Sequence, residues 1–431
     1  AVFCYNKAGA LQSIYLLAEG LNSVTAVAKP GTDPFRPLFS SVTPTVYKNG
    51  VPATLSDVKP YDVGSFDGGA DVLNLSDRKL TGVYENASPS AVSPSTITVM
   101  GAQFNVLDCA LKDLTSFKLG DRMTLLLDSY NNVAGVVSPD AVTGEPIGVA
   151  TITGNSESGY QASVELAYGF TVKGEVTSSA TAMERAPGRL ASVASFESGH
   201  LRLTTVVENV PSGTWRPSEG KLGSLNVAPQ AAIYDKAGNS PLTRVTLSQV
   251  TAASIPAGQI TYYHVDNNGS VDILQLNDAT GECYTYGILT KGEGMYSSGS
   301  TGLSTSNPTV YVKNNKDSLH LISALSAVGA ENTFVGVAPG TSELDGVSRL
   351  GSTITLRSQA RVRRTAFTDD SVTVNGRVYP LAANIDDCCY NAKSKTWFSS
   401  LNEALAYTNA LTVYFDRSPA QGGKVRLVVV E

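Results

Sequence analysis

The side chains with the most suggestive spacing for chemistry lie in one heptapeptide, Asp266-Asn267-Asn268-Gly269-Ser270-Val271-Asp272. Asp266, Asn268, Ser270 and Asp272 place oxygen-bearing groups at alternate positions, as loops that hold calcium do. A helix-loop-helix calcium site wants glycine sixth and a bidentate Glu twelfth. Counted from Asp266, glycine is fourth and the twelfth residue is Asn277. The same heptapeptide separates two alternating runs, ITYYHV (260–265) and VDILQL (271–276). An Asn-Gly pair between such runs is a strong hairpin signal, because both residues tolerate the positive φ of a two-residue turn. The first reading is a hairpin; the four residues stand as weak calcium candidates, and no other cofactor is indicated.

Catalytic patterns are sparse. The three histidines, His200, His264 and His320, lie near no G-x-S-x-G elbow. His200 in ESGHLRL enters a strand, and His320 among Leu319, Leu321 and Ile322 reads as a packed or capping residue. A Ser-Lys pair is not selected by residue order. Glycoside hydrolysis needs two carboxylates facing one cleft, and many of the 38 acidic residues sit at turns beside strands, where they cap or solvate. Trp215 and Trp397 are expected in core or interface packing. The glycines of KGEGMYSSGSTG have neither the strand-to-helix context nor the Lys-Ser/Thr ending of a phosphate cradle, so Gly292–Asn307 is expected as an exposed loop. Of the five cysteines, adjacent Cys388 and Cys389 bridge each other poorly, and no spacing that includes Cys4, Cys109 or Cys283 suggests zinc. Isolated, mostly buried thiols are expected, with Asp386 and Asp387 disfavouring a thiolate beside them. No catalytic residue is assigned.

The elements that would position these groups are strands. Among 431 residues, 42% are hydrophobic and only 16% charged, below the usual quarter or so. Val, Thr and Tyr with neutral polar partners suit pleated sheets. The net charge of -6, with no block of Lys and Arg, argues against nucleic acid. No run of about 18 apolar residues offers a membrane span. The opening AVFCYNKAG has neither an initiator Met nor a targeting pattern and reads as a mature or trimmed chain.

One grammar recurs: an apolar strand, an Asp or Asn, a small polar turn and a second apolar strand, at 2–17, 123–137 and 411–430 as well as at the heptapeptide. Residues 97–137 and 372–430 correspond over a longer stretch. Each has a hairpin turning at Gly101 or Gly376, a helix-like link and a closing hairpin. In the second copy Ser400 and Glu403 fit a capping box, with Leu401, Ala404 and Leu405 as an apolar face. Ser318–Val328 is the other short helix candidate, Asn49-Gly50 marks a further hairpin, and 149–209 reads as a β-meander. The expected fold is mainly β: serial small β-barrel or β-sandwich modules with a few short plug helices. The expected divisions are an N-terminal β segment (1–42), a module with a closing hairpin (43–146), a meander module (147–228), a module with the Gly/Ser loop and short helix (229–358), and a C-terminal module (359–431) resembling 79–137.

Four ordered blocks, TVYKNGVPATLSDVKPYDVG, KLTGVYENASPSAVSPSTITVMGAQFNVLD, SFKLGDRMTLLLDSYNNVAGVV and TYYHVDNNGSVDILQLNDATGECYTYGIL, resemble the β-rich, non-anchoring region of bacterial surface proteins that carry S-layer homology domains. The resemblance covers most of 43–137 and 229–290, with weaker echoes in 359–431. It implies a secreted protein of the cell wall or S-layer, a structural subunit whose partners are copies of itself in a lattice or filament. Cell-wall polymer would be bound through S-layer homology repeats that this sequence does not display. The resemblance brings no catalytic residue. The alternatives are a secreted adhesion or glycan-binding module and, third, a cell-wall or glycan hydrolase. Asn74, Asn86 and Asn268 begin N-x-S/T patterns.

Overall fold

The computed structural model describes residues 2–5, 11–15, 23–39, 42–155, 159–176, 188–297, 306–323, 330–344 and 346–431. The chain divides into two compact units: Ala1–Gly148 with Ile152–Ser179 and Ser192–Thr204, and Val149–Thr151 with Ala180–Ala191 and Thr205–Glu431. The architecture is mainly β, in repeated small sheets and barrels with short helices.

The chain opens with a hairpin of β1 (Val2–Tyr5) and β2 (Leu11–Tyr15). Strands β3 (Ser23–Val27), β4 (Thr45–Lys48), β5 (Val51–Ala53), β6 (Val63–Asp67) and β7 (Val72–Ser76) form a sheet in the order β3-β6-β7-β4-β5. It packs on Phe35, Phe39, Phe66, Leu73 and Leu75. Because β3 pairs with β6 along its length, this sheet crosses the division expected near residue 42. At the end of β4, Lys48 is drawn inward: its Nζ lies 2.6 Å from Asp62 Oδ2, with both side chains 2% exposed.

The next sheet contains β8 (Lys79–Ser88), β9 (Thr96–Val99), β10 (Ala102–Asn105), β11 (Arg122–Leu127) and β12 (Val133–Val137), with helix α1 (Asp108–Leu114) between β10 and β11. Its order is β10-β9-β8-β11-β12. Strands β13 (Ile147–Asn155), β14 (Gly159–Leu166), β15 (Thr171–Val176), β16 (Leu190–Ala194) and β17 (His200–Thr205) then form a closed barrel, β13-β14-β15-β17-β16. This corrects the expected meander, since β15 and β17 run parallel. Closure removes the two open edges that a meander of such short strands would leave, an outcome that local alternation cannot signal.

Strands β18 (Trp215–Arg216), β19 (Lys221–Leu222), β20 (Leu225–Lys236), β21 (Thr243–Val245), β22 (Ile260–Val265) and β23 (Ser270–Asn277) make one sheet, β18-β19-β20-β23-β22, with β21 also on β20. The division expected near 228 falls inside β20. A second closed barrel follows, β24-β25-β26-β28-β27, from β24 (Thr285–Ser297), β25 (Ser306–Lys313), β26 (Ser318–Ile322), β27 (Phe334–Leu344) and β28 (Val347–Thr355). Residues 229–358, expected as one module, thus contribute to two sheets.

Two expectations are corrected in this barrel. The loop expected over Gly292–Asn307 is strand at both ends, since Met295, Tyr296 and Ser297 pair with Pro308, Asn307 and Ser306. A register shift between Lys291 and Met295 absorbs Gly292 and Gly294, two of the glycines that suggested a loop. The helix expected over Ser318–Val328 is strand through Ile322, where β26 pairs with β25. Residues 298–305 and 324–329 lie outside the described residues. Cross-strand contact overrides helical spacing at His320, whose ring stacks on Tyr311 with centroids 4.4 Å apart.

The last sheet, β29-β34-β35-β32-β33, is made by β29 (Arg357–Arg363), β32 (Cys389–Asn391), β33 (Thr396–Trp397), β34 (Ala410–Phe415) and β35 (Val425–Val430). Strands β30 (Ser371–Val374) and β31 (Arg377–Pro380) form a separate hairpin, and helix α2 (Leu401–Tyr407) precedes β34. Ser400 Oγ accepts from Glu403 N, as the capping box requires, but Glu403 Oε2 reaches back one residue further, to Ser399 N at 2.7 Å. Leu401 and Ala404 are buried under the helix.

The correspondence between 97–137 and 372–430 holds in part: each has a first hairpin, a helix and a closing hairpin, but β30 and β31 stand apart from the main sheet where β9 and β10 join theirs, and β32 and β33 have no counterpart. β8-β11-β12 matches β29-β34-β35, a helix precedes β11 and β34 alike, and the parallel bridges Val106–Val133 and Leu381–Val425 occupy the same place. Both first hairpins turn through two positive-φ residues, Met100 (52°) with Gly101 (67°) and Asn375 (51°) with Gly376 (77°). This equivalence makes a prediction. Nothing lies within 4 Å of a Cβ at Gly376, whereas one at Gly101 would meet the Lys173 carbonyl oxygen at 2.6 Å. Gly376→Ala is expected to cost about 1–2 kcal/mol for the left-handed backbone alone. Gly101→Ala should cost more, and urea unfolding of the two variants measures the difference.

Candidate functional site

The heptapeptide hairpin joins β22 to β23, but not through the two-residue turn expected for Asn-Gly. Within it, only Gly269 has positive φ (81°). Asp266 builds a longer turn: its Oδ1 accepts from Asn268 N at 2.8 Å and Ser270 N at 2.9 Å, while its carbonyl accepts from Gly269 N. Asp272 Oδ1 lies 2.7 Å from His264 Nδ1. Asp266 is therefore engaged by the turn and Asp272 by a histidine, and the described residues contain no group of three or more His, Cys, Asp or Glu placed to hold a metal ion. His200 is the first residue of β17, with Nδ1 2.9 Å from Ser198 O. Trp215 is fully buried in a core with Leu222, Ile233 and Leu274, and Trp397 packs against Tyr390.

The most organised polar constellation lies where residue order gives no warning. It begins with Asp235, fully buried in β20, whose carboxylate takes N–H donors from Ala279 and Thr280 and the Thr280 hydroxyl at 2.6 Å. These bonds fix the loop Asp278–Cys283, which presents Glu282 to β35. There Arg426, 1% exposed, donates from Nε to Asp416 Oδ2 at 2.8 Å and from Nη2 to Thr280 O at 2.7 Å, while its Nη1 lies 3.0 Å from Glu282 Oε1. Lys424 Nζ reaches Glu282 Oε1 at 2.7 Å and Gln249 O at 2.8 Å. The Arg426 guanidinium lies 4.9 Å from the centroid of the Tyr286 ring, whose hydroxyl donates to Gly281 O. Arg417 extends the array to the Asp278 carbonyl and carboxylate. Gly281 (φ 75°) is required here, since a Cβ would meet Asp416 Oδ2 at 2.5 Å and Arg426 Nη2 at 2.8 Å.

The electrostatics follow from that geometry. Burial by itself would raise the Glu282 pKa, but Arg426 and Lys424 outweigh it and hold the carboxyl below its ordinary range. Burial would lower the pKa of Arg426; Tyr286, Asp416 and Glu282 reverse this. Glu282 is held as a carboxylate by cations that belong to the fold. The arrangement is chemically suited to joining the β20–β23 sheet to the C-terminal sheet, since Lys424, Arg426, Glu282 and Asp416 are engaged with one another and with nearby backbone.

The thiols take the opposite environment. Cys283, Cys388 and Cys389 are buried, and burial, reinforced by nearby carboxylates, raises all three, Cys388 to about 12. Cys109 is exposed and donates to Ala134 O; desolvation raises its pKa as well. Because the thiolate is the nucleophile, native protein at neutral pH is expected to label first at Cys109 among these four, with Cys283, Cys388 and Cys389 reacting only after unfolding. Peptide mapping after iodoacetamide checks the order.

Sequence reasoning missed Asp235, Glu282, Asp416, Lys424 and Arg426 because each looks like a turn or surface charge. One signal was available: in GKVRLVVV one cation precedes and another interrupts a strand otherwise entirely apolar, and a charge in a strand buried on both faces needs buried partners. In comparisons with known proteins, the chain matches no family model, and no curated protein or solved structure is significantly similar to it.

Proposed function

We propose that the chain is a non-catalytic structural subunit of a bacterial cell-surface layer or similar extracellular assembly, secreted and associating with copies of itself. The observation that carries this reading is the serial, repeated β architecture, in which one hairpin-helix-hairpin plan is used twice. Several of its sheets end on outer strands, among them β5, β10, β22 and β33. Outer strands present backbone donors and acceptors that a neighbouring chain can pair, and heterologous contacts of that kind repeat without closing. The buried ion array adds support, because a lattice subunit must hold its own sheets rigidly. The resemblance to surface proteins bearing S-layer homology domains points the same way.

Electron microscopy of the purified chain, across protein and salt concentrations and with added calcium, tests the reading. Ordered sheets or filaments with one repeated chain-to-chain contact are expected. Discrete monomers under every condition would overturn it, and saturable glycan or protein binding by such monomers would favour an adhesion module instead.

A further inference from the structure

Beyond any role in assembly, the β20–β23 sheet carries a concave site that nothing above uses. A cleft of about 180 Å³ opens on the face of that sheet opposite the Leu274 and Leu276 core. Its floor is Tyr262 and Gln275, partners across β22 and β23. Gln275 Nε2 donates to Thr261 Oγ1 at 2.7 Å, which fixes the amide. The wall is the strap of residues 205–209, held in place where Asn209 donates from its backbone N to Thr261 O and from Nδ2 to Tyr263 O, and where Val206 N donates to Leu190 O.

Three charged side chains line this cleft: Arg189, Lys236 and Glu208. Lys236 is half-buried, and Arg189 and Glu208 are exposed to solvent. Two cations and one anion leave the cleft with a surplus of one positive charge, beside an amide and a hydroxyl that present further hydrogen-bonding groups. A guanidinium and an ammonium suit a carboxylate. Glu208, Gln275 and Thr261 suit hydroxyl groups on the body that carries it, and the Tyr262 ring supplies an apolar surface. The volume is below the range of roughly 300–1,000 Å³ usual for drug-sized ligands, so the fit is to one compact unit.

We infer that this cleft binds a single carboxylate carried on a small hydroxylated body, with Arg189 and Lys236 holding the carboxylate and Glu208 accepting from a hydroxyl. The same chemistry is offered by a free hydroxy acid and by an acidic sugar within a polymer. Calorimetric titration of the full chain with D-glucuronate, with D-glucose as the neutral control, tests the inference. Saturable binding of glucuronate and none of glucose is expected. Arg189→Gln and Lys236→Gln should each weaken binding about tenfold or more, as expected for loss of a charge-assisted hydrogen bond, while tryptophan-monitored unfolding stays at the wild-type midpoint. Competition by polygalacturonate would assign the acid to a polymer; binding of the monomer without such competition would assign it to a free acid. Equal responses to glucose and glucuronate, no response to glucuronate, or undiminished binding in the double variant would overturn the inference.

Discussion

Arg426→Ala is expected to lower the stability of the C-terminal unit by about 3–5 kcal/mol, the range found when one partner of a buried ion pair is removed. The substitution takes the guanidinium from Asp416, which is fully buried and keeps the Lys424 backbone N–H as a donor, takes one of its two cations from Glu282, which keeps Lys424, and leaves Thr280 O without its donor. With a urea m-value near 2 kcal/mol/M, the midpoint should fall by about 2 M. The chain's two tryptophans, Trp215 and Trp397, both lie in the Thr205–Glu431 part of the second unit, so fluorescence reports this transition directly. A shift of less than about 0.5 M would show that the array contributes little. The pH dependence gives a separate check. Glu282 has a folded pKa below its ordinary 4.5, so its contribution is complete above that value and is lost as pH falls through the lower, folded one. Without Arg426 the largest downward pull on Glu282 is gone, and the acid limb of the stability profile should move to higher pH.

The fold was legible where local chemistry decides it. Asn375-Gly376 and Met100-Gly101 announce tight turns through the glycine's tolerance of positive φ, and Ser400 with Glu403 announces a helix start. What local pattern could not convey was partner choice. The parallel pairing of β15 with β17, or of β20 with β23, joins strands whose residues alternate no differently from those of a meander. The heptapeptide shows a finer failure. Asn268-Gly269 reads as a two-residue turn until the Asp266 carboxylate accepts from Asn268 N and Ser270 N and draws a longer loop around itself. The ion array was illegible for a related reason: Glu282 and Arg426 are 144 residues apart, and only the folded sheets make them neighbours.

The second large effect is expected at Lys48 and Asp62, where non-additivity is the signature. Lys48→Met alone leaves the Asp62 carboxylate, 2% exposed, with the Lys59 backbone N–H as a remaining donor, and removes the donor to Asp57 O. A loss of about 3–5 kcal/mol is expected. Asp62→Asn alone strands a buried ammonium and should cost a similar amount. The double variant removes both charges, and the introduced amide keeps an oxygen for the Lys59 N–H, so it should be far more stable than the sum of the single losses predicts, with a coupling of about 1–3 kcal/mol. Neither tryptophan lies in this unit, so the readout is native-state hydrogen exchange at amides of β4, β6 and β7. Additive losses would mean that the pair is solvated or replaceable. Coupled losses would mean that this ion pair fixes the approach of the 57–62 segment to β4, as the Glu282 array fixes the approach of its loop to β35.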